Sequence, residues 1–105
     1  MRSKGNQPTA EQKRFRENLR DLYPNSVVHH CVGVTGKHNK VEIGHWWIIA
    51  VRPELHERIH GKGYPLNRKK TEKEMFRDQI IVYFQDYFQM PVPDEALTAI
   101  MDYHK

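Results

Sequence analysis

The stretch VVHHCVGVTGKHNKVEIGHWWIIAVRPELHERIHG, residues 27–61, decides how the fold of this chain is read. Val27 to Val32 is a short run rich in β-branched residues, which predicts a strand. Gly33 to Lys40 holds two glycines and the polar run Lys37, His38, Asn39, which predicts a hairpin-type loop. Val41 to Val51 predicts a second extended stretch, interrupted at Gly44. Pro53 suits the first position of a helix, where a missing N–H costs nothing. That helix is expected to run to about His60 and to stop at Gly61. The order is strand, loop, strand, helix.

Helices are expected on both sides. Residues 1–7 read as a disordered basic tail. Thr9 is a helix N-cap with Gln12 as its capping-box partner, and Phe15, Leu19 and Leu22 form the buried stripe. Arg14, Arg16 and Arg20 fall on the solvent side, and Tyr23 to Ser26 make a stop and turn. Gly61 to Pro65 is a connector. Thr71 and Glu74 make a second capping box, opening a long helix to about Gln89. Its apolar face would carry Met75, Phe76, Ile80, Tyr83, Phe84, Tyr87 and Phe88. Met90 to Pro93 breaks it, and Asp94 caps a last short helix with Leu97, Ile100 and Met101. The expectation is a single α+β domain over 1–105, with residues 71–103 as helical support.

Composition narrows the function classes. At 105 residues the chain holds one modest core. Hydrophobic residues are 38% and no apolar run nears the ~20 residues of a membrane span, so no membrane partner is expected. The polar start has no apolar h-region, which predicts a cytoplasmic location. A lone cysteine, Cys31, excludes an internal disulfide and any multi-cysteine zinc cluster; it reads as a small buried residue. Lysine and arginine outnumber the acids 17 to 13, which suits a polyanion partner.

Histidine is the more telling count: seven, four of them in two tight pairs. His56 and His60 are four apart, so a helix puts both on one face, where two imidazoles can converge on one cation. Glu57 directly follows His56, which keeps a zinc-protease reading open, although no third ligand follows at the expected site. His29 and His30 are adjacent, and on a regular strand they point to opposite faces. At a strand end or bend one can ligate an ion while the other faces a phosphate.

Together the two pairs resemble the ββα-metal (HNH) nuclease superfamily, and within it the histidine-rich sites of the nuclease colicins. Val28 to Trp47 also looks like the small phage HNH nucleases related to the RecA-dependent recombination-enhancement nuclease. The resemblance covers residues 27–61. It implies His29 as a metal ligand, His30 as general base, and His56 and His60 as the remaining ligands of a three-histidine site. It implies one divalent ion and a cut leaving 5′-phosphate and 3′-hydroxyl ends. Three nitrogen ligands favour zinc or another transition ion over magnesium; magnesium or manganese stays open.

This chain departs from the family at Trp47, which stands where the family's orienting asparagine is expected. Tryptophan cannot both donate and accept as an amide does. His45 or Asn39 could take that role. Trp46 and Trp47 predict one core ring and one partly exposed, with base stacking as a further option. Lys37, Lys40, Arg52, Arg58 and Lys62 are candidate phosphate contacts, and Arg68, Lys69 and Lys70 could extend the basic surface. Such contacts position a backbone without reading sequence, so little base specificity is expected. The expected function is a DNA endonuclease, phage- or mobile-element-derived. The alternatives are a non-catalytic nucleic-acid-binding or recombination-accessory module with a structural metal, and a nuclease that needs a recombinase filament.

Overall fold

The computed structural model describes residues 7–31, 37–38, 40–61, 66–87, 89 and 91–103. Most of the expected N-terminal tail, together with Asn39, Lys62 and Phe88, lies outside the described residues. Among the described residues the class is α+β: four helices and two two-stranded antiparallel sheets. No helix among them is long and apolar enough to cross a membrane.

Helix α1 (Ala10–Leu22) opens on the expected capping box. The Thr9 hydroxyl accepts from the Gln12 amide at 3.1 Å, and the Gln12 side chain accepts from the Thr9 amide at 2.8 Å. After it, Asn25 turns the chain with a φ of 66°. Asparagine tolerates this left-handed conformation better than most residues.

Strand β1 (Val27–His30) is shorter than the predicted run. The second extended stretch divides into β3 (Val41–Glu42), paired with β2 (Lys37–His38), and β4 (Ile48–Val51), paired with β1. A turn separates β3 from β4. The amides of Trp46 and Trp47 both donate to the Ile43 carbonyl, at 3.0 and 2.9 Å. On a continuous strand these two rings would face opposite ways. The turn lets both enter the core, at 6% and 0% exposure, so neither ring is free to stack on a base.

Helix α2 (Pro53–Ile59) begins with proline at its first position, as expected, and Gly61 follows its C-cap with a φ of 98°. Helix α3 (Arg68–Tyr87) starts three residues before the expected cap at Thr71. Asn67 is the cap instead, its Oδ1 accepting from the Lys70 amide at 3.1 Å. The buried stripe of α3 is Glu72, Phe76, Gln79, Ile80 and Tyr83, whereas Phe84 is 48% exposed and Tyr87 is also exposed. Helix α4 (Asp94–Tyr103) buries Ala96, Ala99 and Ile100 and packs on the β2–β3 pair.

The core lies between the helices and the β1–β4 ribbon. Phe15 of α1 meets Trp46 at 5.7 Å and Tyr83 at 5.1 Å between ring centres. The Asn18 amide donates to the Tyr83 hydroxyl at 2.8 Å, tying α1 to α3. Strand β4 is buried along its whole length, and a buried strand edge requires partners for its backbone groups. The Gln79 side chain supplies them at Ala50, donating to its carbonyl at 2.7 Å and accepting from its amide at 2.9 Å.

Candidate metal centre

The register of β1 against β4 pairs His29 with Ile49 and His30 with Ile48. Alternation along β1 then separates the two histidines: His29 is buried at 2% exposure and His30 is exposed. At the other end of the ribbon Val51 pairs with Val27, and Pro53 starts α2 just beyond. Helix α2 packs on β1. This reversal carries His56, and His60 at the C-cap, to His29.

The three rings meet. Ring centres of His29 lie 5.1 Å from those of both His56 and His60, and His56 and His60 lie 4.5 Å apart. One ring nitrogen from each falls within 4.8 Å of the others. The Nε2 atoms of His56 and His60 are 3.2 Å apart. Tetrahedral zinc, with Zn–N bonds of about 2.0–2.1 Å, sets its ligand nitrogens about 3.3 Å apart. The His56–His60 spacing fits, and the His29 nitrogen lies within 4.8 Å of both. A hydrogen bond between the two rings has the same length. Among the described residues, the histidine that joins His56 and His60 comes from a strand upstream of them. His56 is held below the ordinary imidazole range by burial first, then by His29, His60 and Arg68, with Glu57 opposing.

Sequence reasoning did not find the partner of His29. His29 Nε2 is hydrogen-bonded to Oε2 of Glu72, which is fully buried on α3. Arg68, one turn earlier, donates from Nε to the same oxygen at 3.0 Å. Arg68 is thus an internal partner of a buried carboxylate and not an extension of the basic surface.

On the opposite face of β1, the His30 ring lies edge-on to His45, 5.6 Å between centres. Of the two residues considered for the orienting role, His45 is beside His30, and Asn39 lies outside the described residues. Helix α1 borders this side, since Gln12, Lys13 and Arg16 line one small hollow with His30, His45 and Ile48. Arg16 and Lys13 were not among the candidate phosphate contacts; the sequence reading left Arg16 to solvent. Partial burial, then His45, Arg16 and His29, hold the His30 imidazole below its ordinary range.

The other candidates are scattered. Lys40 is exposed in the turn before β3, with a φ of 67°. Arg58 is half-buried on α2, between the two ligand positions. Arg52 is exposed but lines a groove with Pro24, Asn25 and Glu54, at the Val27 end of the ribbon and away from His30. The side chains of Lys37 and Lys62 lie outside the described part of the structure. Cys31 is buried behind the site, its amide donating to the Trp47 carbonyl at 3.2 Å, and burial pushes its thiol up. The chain matches no protein-family model, no curated protein and no solved structure.

Proposed function

We propose that this chain is a metal-dependent endonuclease of the ββα-metal (HNH) type, acting on the DNA backbone with little base preference. The observation that carries the reading is the division of the histidine doublet. His29 joins His56 and His60 in one cluster, while His30 stands beside His45, with Lys13 and Arg16 of α1 lining the same hollow. Strand, strand and helix follow in the order that the resemblance implies.

Each group then has a task. His29, His56 and His60 would hold one divalent cation, zinc or another transition ion by their nitrogen donors. When bound, that ion supplies charge stabilisation at the scissile phosphate and the leaving oxygen. His30 takes a proton from a water molecule as the water oxygen bonds to phosphorus. The P–O3′ bond breaks, leaving a 5′-phosphate, and the departing O3′ takes a proton from solvent water to become the 3′-hydroxyl. His45 orients the His30 ring. Lys13 and Arg16 face the phosphate and fix its position without reading sequence.

A second reading has its own support. Trp47, at the position of the family's asparagine, is a fully buried core residue. That favours a nucleic-acid-binding module in which the metal is a structural staple. One assay separates the two. Purified chain is incubated with supercoiled plasmid and zinc, manganese, nickel or magnesium, and its metal content is measured alongside. Nicked and linear products with a transition ion support the nuclease. Stoichiometric metal with intact plasmid under every ion, and with a recombinase filament added, overturns the nuclease in favour of the binding module.

A further inference from the structure

Among the residues whose burial is described, Glu72 is the one buried acid. It sits on the core stripe of α3, in line with Phe76 and Ile80, where packing alone calls for an apolar side chain. A carboxylate is tolerated in such a place only when paired and hydrogen-bonded. Both partners are present on one oxygen: Arg68 Nε at 3.0 Å, and Nε2 of His29. Arg68 is 32% exposed, so its head reaches from the protein edge, whereas His29 is buried with Glu72.

The chemistry of imidazole gives this contact a consequence. A carboxylate can only accept, so a neutral His29 must carry its proton on Nε2. The lone pair is then on Nδ1. Metal-binding histidines typically donate their second N–H to a carboxylate, which fixes the tautomer and ring orientation. We infer that Glu72 is a positioning residue for the metal centre, taking the Nε2–H of His29 so that Nδ1 is offered to the cation shared with His56 and His60, with Arg68 anchoring the carboxylate. The inference rests on the metal site proposed above. It makes α3, which lies outside the strand–strand–helix stretch, a working part of that site.

A plain structural anchor between α3 and β1 would behave differently. Its loss would lower the stability of the metal-free protein and leave metal affinity alone. The test uses the full chain as wild type, Glu72→Gln and His56→Ala. Zinc affinity is measured by competition with a chromophoric chelator, and metal-free melting by circular dichroism. Glu72→Gln keeps the shape and an acceptor but loses the charge. It is expected to weaken zinc binding by about 10- to 100-fold while melting without metal no lower than wild type. A folded Glu72→Gln that binds zinc within about twofold of wild type overturns the inference, by the scale of that expected loss. Wild type that binds no more zinc than His56→Ala overturns the metal site itself, a distinguishable failure.

Nitrogen-15 NMR of metal-free wild type gives a readout that survives a Glu72→Gln variant unable to fold. In the neutral ring of His29 the proton is expected on Nε2. An Nδ1–H tautomer overturns the inference.

Discussion

His29 and His30 acquire different chemistry because neighbours on a strand face opposite ways. The core face of β1 carries His29 to two imidazoles and a buried carboxylate; the outer face carries His30 to His45 and the basic side of α1. Single substitutions should therefore divide the two functions. His30→Ala is expected to slow plasmid cleavage by about 10²- to 10⁴-fold, the range for losing a general base, with zinc content unchanged. His56→Ala is expected to lose zinc and cleavage together. His45→Ala, which spares the base and removes its neighbour, should fall between wild type and His30→Ala. Rates from a nicking time course, read beside metal analysis, check all three; full activity in His30→Ala would refute the assignment. The histidines were legible because adjacency and i,i+4 spacing are local patterns with fixed geometry. Glu72 was not, since its partner His29 is 43 residues away and nothing near it in sequence marks it as buried. Its neighbours Thr71 and Glu74 read as a capping box, which marks a helix start and carries no sign of burial.

Helix α3 shows what pattern reading captures in an element and what it misses. The apolar spacing predicted a long helix there, and Phe76, Ile80 and Tyr83 are indeed on its buried stripe. The stripe also includes Glu72 and Gln79, so a count of apolar residues shifted the expected face toward Phe84 and Tyr87, which are exposed. Both polar residues are there for partners on other elements, His29 and the Ala50 backbone, and helical periodicity carries no trace of those. Gln79→Leu is close in size but leaves the buried Ala50 amide and carbonyl without their side-chain partner. The expected loss is about 1–3 kcal/mol for each buried group left unpaired, seen as a lower urea midpoint. The start of α3 gives a paired check. Asn67→Ala should cost about 1 kcal/mol, as a lost N-cap does. Thr71→Ala, one turn inside, should stay within about 0.5 kcal/mol. The opposite ranking would restore the cap to Thr71.

At the scale of the whole molecule the proposed centre joins three separated parts of the chain: β1, the end of α2, and α3. The α+β class and the four helices were legible in the sequence, because turn residues and capping boxes punctuate it; the strand β2 inside the expected loop and the division of the second stretch into β3 and β4 were not. The way these parts meet was not, since it depends on the β1–β4 register and on the turn at Ile43 that buries both tryptophans. An ion held by His29 and by His56 and His60 would cross-link the strand to the helix that follows it. It would bind only the folded chain with full affinity, so it must stabilise that chain. Zinc at about 100 times its dissociation constant contributes about 2.7 kcal/mol. For a domain near 100 residues each kcal/mol moves the melting temperature by about 4–8 °C, so zinc should raise it by roughly 10–20 °C. A chelator should return it to the metal-free value. Magnesium, which prefers oxygen ligands, should leave it nearly unchanged. His56→Ala should abolish the zinc shift, while His30→Ala, on the other face of β1, should retain it in full. Calorimetric scans of the three proteins with zinc, with magnesium and with chelator test this directly. Equal melting temperatures with zinc and with chelator in the wild type would mean that the three imidazoles share no ion.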